Sequence, residues 1–280
     1  MKAALRLLAL TKHVPLIAWT GLAIVPFTLI ILLSFRSNTG IFEHPLGTGG
    51  SYDIANYGQA WRGPGSDAGM ADYFRNTALA AVAALVVSLS IGSTAAFFIA
   101  QMRPKTRRRL LRLFLLGNVV PFVLIIIPLF QFYNAVGALN NAFDLGIAYG
   151  VLALPTTVLI LTSYYSDFPR DLIEAAACDG LGPFSAYVRV ALPLSKGAIT
   201  AVGILVLLFA WGETQLGIIL LQTPSSQTVA VGVLGFEGEF VTGYGPIFAG
   251  LSIATIPVIL LYLGFNRFVR KGIALGGVFR

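Results

Sequence analysis

Residues 167–193 read DFPRDLIEAAACDGLGPFSAYVRVALP and form a polar, charged segment in a chain that is otherwise strongly apolar. Pro169 suits the first turn of a helix, where its missing N–H is not needed, and Glu174 follows where the helix dipole favours an acid. Gly180 can take the left-handed conformation that ends a helix, and Pro183 can start a second one. The segment therefore predicts two short helices that meet at a glycine elbow. Because such short helices are marginal alone in water, they need a surface to pack on, either the ends of neighbouring helices or another protein.

The composition places this hairpin in a membrane protein. Hydrophobic residues make up 56% of the 280 residues and charged residues 11%, whereas a soluble domain carries roughly a quarter charged residues. Six apolar runs are each close to the roughly 20 residues that a helix needs to cross a bilayer. These runs cover residues 14–35, 77–100, 113–133, 145–164, 199–221 and 246–268. We therefore predict an all-α polytopic membrane protein, in which residues 1–280 form a single domain of six transmembrane helices with the hairpin between the fourth and the fifth.

Basic residues are distributed unevenly about these six runs. Three of the 19 Lys and Arg residues fall on one side, namely Arg36, Arg62 and Arg75, and the other 16 fall on the opposite side. Because cytoplasmic loops carry the excess of Lys and Arg, the second side is expected to be cytoplasmic. This places both termini and the hairpin 167–193 in the cytoplasm and the long loop 36–76 outside. The basic cluster at 103–112 would lie beside anionic lipid headgroups, so its expected partner is membrane lipid and not nucleic acid.

The spacing inside the hairpin carries a more specific signal. Glu174-Ala175-Ala176 is followed after three residues by Gly180, and after nine more by Val190, one residue and Leu192-Pro193. This pattern resembles the EAA motif of binding-protein-dependent ABC importer permeases, with valine where isoleucine is commoner.

Further stretches are similar to the carbohydrate branch of that family, in particular to its maltose-type inner permease subunit. They are NYGQAW at 56–61, NNAFDLGIAYGVLALP at 140–155, SDFPRDLIEAA at 166–176, FAWGE at 209–213 and RFVRKGIALGGVFR at 267–280. The sequence departs from the family at Gly212, where asparagine is usual, and in its last residues, which read GGVFR. Any contact that the family makes through this tail is therefore not carried over in detail.

The resemblance implies a transport subunit and not an enzyme, located in the bacterial cytoplasmic (inner) membrane and importing a sugar or sugar derivative. It implies three kinds of partner: a dimer of ATP-binding subunits, a second permease subunit and an extracytoplasmic solute-binding protein. None of the five lysines follows a glycine, so the sequence has no phosphate-binding loop, and ATP and Mg would be bound by the partner subunits and no cofactor by this chain. The hairpin would be the element that couples the ATPases to transport. The residues that the resemblance assigns to this coupling are Glu174, Ala175, Ala176, Asp179, Gly180, Leu192 and Pro193.

A second set of candidates lies within the apolar runs. Glu213 is a carboxylate well inside the fifth run, and ionisable groups inside a membrane usually face a cavity or a partner. Because Thr214 and Gln215 follow it, the helix is expected to be broken there. Glu213, Gln215, Asn118 and Gln131 are therefore candidates for the translocation path. Two other interpretations of Glu213 stay open, a contact with the second permease subunit and a hydrogen bond that only packs helices.

The sequence leaves alternatives for the function. The same architecture could import another solute, such as glycerol phosphate, a polyol or a peptide, and a secondary transporter is a more distant alternative. A membrane-embedded enzyme would need clustered acids, bases or metal ligands, and Glu213 stands alone. The two histidines, His13 and His44, fall on opposite sides of the membrane, so neither a metal site nor a catalytic site is predicted.

Overall fold

The structure is a computed structural model that describes residues 2–44, 52–65, 68–236 and 243–278, with the backbone alone for 2–12, 261–262 and 265–278. Within these ranges every regular element is a helix, and extended backbone pairs only at one bridge between Arg36 and Tyr52. The helices before the hairpin are α1 (Lys2–Ser34), α2 (Asn38–Glu43), α3 (Ala55–Arg62), α4 (Met70–Ala100), α5 (Pro104–Val119), α6 (Phe122–Ala135) and α7 (Ala142–Ser166). Those of the hairpin and beyond are α8 (Arg170–Cys178), α9 (Pro183–Ala186), α10 (Leu192–Leu194), α11 (Lys196–Gly212), α12 (Gln215–Leu220), α13 (Val229–Gly232) and α14 (Tyr244–Val278).

Several of these helices are long and apolar enough to cross a bilayer. In the described part of the chain, three of them qualify alone: α4, α7 and the His13–Ser34 part of α1. The number rises to five if each of two bent pairs of helices crosses the membrane once. In one pair α5 and α6 meet at 86°, and in the other the helical segment Pro183–Leu194 meets α11 at 80°. The apolar part of α14, Tyr244–Leu260, is shorter. The chain is therefore an all-α, multi-pass membrane protein with at least three spans.

Two of the predicted apolar runs are not straight helices. The run 113–133 is divided between α5 and α6, because Pro121 cannot donate a backbone hydrogen bond and holds Val120 in an extended conformation, with ψ of 120°. The run 199–221 is divided between α11 and α12, and the break falls at Glu213 and Thr214, where the polar residues predicted it.

The chain divides into two compact units. The first consists of Met1–Met70 and Gly232–Pro257, and the second of Ala71–Val231 and Val258–Arg280. In the first unit, the buried Asn56 amide on α3 donates to the carbonyl oxygens of Ser34 and Arg36, at 2.9 Å each. The hydroxyls of Ser34 and Tyr57 lie 2.8 Å apart. These contacts hold α3 against the end of α1. Helix α3 is part of the loop 36–76, which is rich in aromatic residues.

The core of the second unit lies around α7, which packs against α4, α5 and α11. Small residues allow α4 and α7 to approach closely: a Cβ at Gly150 would lie 2.7 Å from Cβ of Val87 and 2.9 Å from the carbonyl oxygen of Ala84. The hydroxyls of Ser88 and Thr157 form a buried hydrogen bond of 2.7 Å across the same contact. Such small-residue contacts are typical of helix packing inside membranes.

We expect Gly150→Leu to prevent this packing. The added Cβ would contact the α4 backbone, which cannot rotate away as a side chain can, so the cost is about 3 kcal/mol or more. The measurement is the yield and thermal stability of the purified subunit, which should both fall. Gly21→Leu is the matched control, because the same substitution in α1 meets no atom within 4 Å. Equal stability of the two variants would contradict the close packing of α4 and α7.

Candidate functional site

The hairpin 167–193 contains the two short helices and the glycine elbow that its sequence predicts. Helix α8 ends in a complete glycine cap: the Leu181 N–H donates to the carbonyl of Ala176, and the Gly180 N–H to that of Ala177, both at 3.0 Å. Gly180 has φ of +80°, which few residues other than glycine adopt readily. The second helical segment runs from Pro183 past Pro193 and ends at Leu194, so Pro193 lies in its last turn and does not stop it.

The hairpin exposes an acid and several large apolar side chains. Glu174 and Ala175 are exposed, whereas Ala176 is buried against the rest of the second unit. Asp179, Gly180 and Pro193 are exposed, and Leu192 is half-buried. Large apolar side chains are exposed at Leu172, Phe184 and Val188 of the hairpin and at Leu194, which follows it directly. Such a concentration of apolar side chains on a short charged segment is typical of a surface that another protein covers.

The two limbs of the hairpin pack differently. Beneath α8 lies a cavity of about 190 Å³, bounded by Ile173 and Glu174 of the hairpin, Gln101 beyond α4 and Ser166 at the end of α7. The second limb is instead inserted into the core, because Ala186, Tyr187 and Ala191 are each less than 5% exposed. The segment Tyr187–Ala191 is a π-helical turn, an irregularity that often occurs at functional sites.

Buried hydroxyls join the second limb to α4 and α7. The Tyr187 hydroxyl donates to Oγ of Ser93 on α4 at 3.0 Å, and Ser93 lies 3.2 Å from the hydroxyl of Tyr165 on α7. The ring of Phe97 packs against both tyrosines, with centroids 5.1 Å from Tyr187 and 5.5 Å from Tyr165. The sequence did not predict this group, because its three hydroxyl residues are 22 to 94 positions apart and belong to three different segments.

Arg107 ties together the ends of the helices from which the hairpin emerges. Its guanidinium donates to Oγ of Ser166, the last residue of α7, at 3.0 Å and to the carbonyl of Ala100, the last residue of α4, at 3.4 Å. A cation at two helix C-termini is stabilised by both helix dipoles. The sequence assigned this arginine to the lipid-facing basic cluster, but the structure half-buries it, unlike its exposed neighbours Arg108 and Arg109.

Glu213 lies at the break between α11 and α12, and its carboxylate accepts hydrogen bonds from three groups. The backbone N–H groups of Leu216 and Gly217 donate to it at 3.0 and 3.4 Å, so it caps the start of α12. Tyr149 on α7 is fully buried, and its hydroxyl donates to the Glu213 carboxylate at 2.6 Å. The carboxylate therefore fixes the shape of the break and joins it to α7.

The remaining path candidates are not brought together with Glu213. Asn118, near the end of α5, accepts a hydrogen bond of 3.2 Å from Thr156 and lines a cavity of about 240 Å³ between α5, α7 and α11. Phe209 lines the same cavity, packs edge-on against the Tyr149 ring at 5.7 Å, and accepts a backbone hydrogen bond of 3.0 Å from the Glu213 N–H. Gln131 on α6 and Gln215 are exposed. In the described part of the chain no three or more His, Cys, Asp or Glu side chains are grouped to hold a metal ion.

Comparison with known proteins identifies the family of this chain of apolar helices. Residues 89–275, about two thirds of the chain, match the family described as binding-protein-dependent transport system inner membrane component. The chain belongs to this family. It is accordingly a transport permease component of an inner membrane, and the hairpin, Glu213 and Asn118 all lie within the matched residues.

Individual relatives of this permease cover 80% to 97% of its length. The diacetylchitobiose uptake system permease protein NgcG of Streptomyces coelicolor is 30% identical over 97% of this chain and 89% of its own. The trehalose transport system permease protein SugB of Mycobacterium tuberculosis is 28% identical over 92% and 93%. The sulfoquinovosyl glycerol transport system permease protein SmoH of Agrobacterium fabrum is 32% identical over 80% and 78%.

A solved structure shows the same fold. One chain of a bacterial ABC transporter involved in the import of the acidic polysaccharide alginate superimposes with a TM-score of 0.74, at 20% identity, over 94% of this permease and 96% of that chain. The permease therefore has the fold of an ABC importer permease, as its EAA spacing predicted.

Proposed function

We propose that this chain is the transmembrane permease subunit of an ATP-driven ABC importer for a sugar or sugar derivative, coupled to its ATPases through the hairpin 167–193. The observation that carries the proposal is the hairpin itself. Its EAA spacing coincides with a complete glycine cap, an exposed acid at Glu174 and an exposed apolar face, which together form a docking element on a membrane protein.

The proposed arrangement has six spans with the hairpin and both termini in the cytoplasm. The runs 113–133 (α5 and α6), 199–221 (α11 and α12) and 246–268 (in α14) would complete the three helices that are apolar enough alone. Six is an even number, as termini on one side require. The unequal distribution of Lys and Arg supports this orientation. The exposed arginines at the start of α5 would then lie at the cytoplasmic headgroups.

Partners supply what this chain lacks. The family description includes a binding protein, and the absence of a phosphate-binding loop from the sequence requires ATP-binding subunits elsewhere. We propose an ATPase dimer that binds ATP and Mg, a second permease subunit and an extracytoplasmic solute-binding protein. Glu174 would pair with a basic group of an ATPase subunit, and the exposed Ala175 would keep the docked helix face small. The buried Ala176 would let α8 pack closely on the chain's own core. Asp179 and Gly180 would form the elbow, and Leu192 and Pro193 the exit toward α11.

The substrate class follows from the relatives. Three of them are permeases of uptake systems for diacetylchitobiose, trehalose and sulfoquinovosyl glycerol, all of which are sugars or glycosides. A non-sugar solute such as glycerol phosphate, a polyol or a peptide is the second candidate. We further propose that the path borders Asn118 and Gln131 on one side and Glu213 and Gln215 on the other, since all four lie within or beside the membrane segments.

Purification from native membranes in mild detergent tests the proposal. We expect an ATPase with a phosphate-binding loop and a second EAA-bearing permease to co-purify in near-equal amounts. The complex, reconstituted in vesicles with its binding protein, should import a labelled oligosaccharide when ATP is supplied on the hairpin side. A chain that purifies alone or only with itself would overturn the importer assignment. Import of a polyol or peptide in place of a sugar would overturn only the substrate class.

A further inference from the structure

Three buried hydroxyls connect the second limb of the hairpin to two membrane helices. Tyr187 of the hairpin donates to Ser93 of α4, and Ser93 bonds to Tyr165 of α7. Both tyrosines are about 95% buried, and Ser93 is 1% exposed. Ser195, at the bend between the hairpin and α11, is fully buried beside Tyr165 and donates to the carbonyl of Ala191.

These hydroxyls restrict how the hairpin can move. A hydroxyl buried in apolar surroundings without a partner is costly, so each of the three is held to the arrangement in which it has one. The Phe97 ring packs against both tyrosine rings and adds apolar contacts to the hydrogen bonds. The second limb therefore cannot slide against α4 and α7 without breaking several contacts at once.

The first limb is not held in the same way. The cavity of about 190 Å³ separates part of α8 from the ends of α4 and α7, and the exposed Glu174 borders it. A displacement applied to α8 alone could be absorbed by this cavity, because a void does not transmit force as close packing does. The second limb, which is hydrogen-bonded to α4 through Tyr187, is therefore the more rigid of the two connections between the hairpin and the membrane helices.

We propose that Ser93, Tyr165 and Tyr187 form a latch, a set of positioning residues that makes the second limb, α4 and α7 move as one body when the ATPases displace the hairpin. The latch rests on the proposed function, because it presupposes that ATPases act on the hairpin. It assigns a coupling role to residues that the EAA pattern does not specify, two of which lie in the membrane helices. The π-helical turn that begins at Tyr187 directs this side chain and Ala191 into the core together.

The test is Tyr187→Phe in the assembled transporter. Phenylalanine keeps the ring against Phe97 and removes the hydroxyl, so the complex should assemble and hydrolyse ATP at its normal rate. The ATP hydrolysed per solute imported should rise about threefold or more, since one broken hydrogen bond changes an equilibrium by roughly that factor. Tyr133→Phe is the matched control, because it removes a buried tyrosine hydroxyl that bonds to the carbonyl of Asp144, away from the hairpin, and should leave the ratio unchanged.

Ser93→Ala provides an independent variant in case Tyr187→Phe does not assemble. It removes the bridging hydroxyl, and we expect it to raise the same ratio at least as far. In the double variant the two effects should not add, because both substitutions break the same hydrogen bond. An unchanged ratio in both single variants, with normal import by the unmodified complex, would overturn the latch. An unmodified complex that imports nothing would instead overturn the proposed function.

Discussion

Gly180→Val is expected to reduce ATP-driven import about tenfold while the subunit still inserts into the membrane. Gly180 has φ of +80°, and a valine there carries strain of about 1 to 2 kcal/mol, which a short capped helix cannot absorb. A Cβ at this position meets no atom within 4 Å, so the expected loss comes from the backbone conformation and not from a clash. The measurement is uptake into vesicles at equal amounts of inserted protein.

Gly182→Val is the matched control, because it introduces the same side chain two residues away in the same hairpin. Gly182 has φ of −67°, which valine adopts readily, and it also has open space around it. We expect near-normal import from this control. Gly180→Asn should retain more import than Gly180→Val, since asparagine tolerates the left-handed region. If the valine variants at the two positions imported equally, the elbow would have no role in coupling.

Glu213→Ala is expected to destabilise the permease by about 2 kcal/mol or more and to abolish most import. The substitution leaves the N–H groups of Leu216 and Gly217 and the buried hydroxyl of Tyr149 without the acceptor that they share. Inside a membrane segment no water replaces that acceptor at low cost. The measurements are the thermal unfolding of the purified complex and its import rate.

Glu213→Gln separates the two roles that the carboxylate could have. Glutamine keeps one acceptor oxygen for the α12 backbone, so stability should largely return if Glu213 acts as a cap. Import that stays low in this stable variant would show that the charge itself serves the path. Gln215→Ala, at an exposed side chain two residues away, is the control for the effect of truncation. Normal import by both Glu213 variants would contradict the proposed place of Glu213 on the path.

The parts of the site that local rules determine could be predicted from the sequence. Pro169, Gly180 and Pro183 define the hairpin because each acts on its own backbone, and the break at Glu213 follows from polar residues inside an apolar run. The partner of Glu213 could not be predicted, since Tyr149 is 64 residues away and one of 10 tyrosines in the chain. Only the packing of α7 against α11 makes it the donor.

The sequence also could not show that one arginine of the basic cluster 103–112 faces the protein and not the lipid headgroups. Charge patterning treats Arg107, Arg108 and Arg109 alike, because it counts residues on one side of the membrane. The helical rotation of 100° between neighbours directs only Arg107 toward the ends of α4 and α7. The 86° angle between α5 and α6 was likewise unpredictable, since a proline indicates a break in a helix but not the direction of the next one.

The second limb of the hairpin presents two separate faces within twelve residues. Phe184, Val188 and Leu194 are exposed, whereas Tyr187 and Ala191 are embedded in the chain's own core. The exposed residues that would contact an ATPase can therefore change without disturbing the buried residues that hold the hairpin in the core. The buried residues can likewise change without altering the exposed surface. A permease built this way could acquire a new ATPase by substitutions among its exposed residues alone. Several importers of one bacterium could then share a small number of ATPases. Exchanging the exposed residues Glu174, Phe184, Val188 and Leu194 between two such permeases would be an economical way to exchange their ATPases.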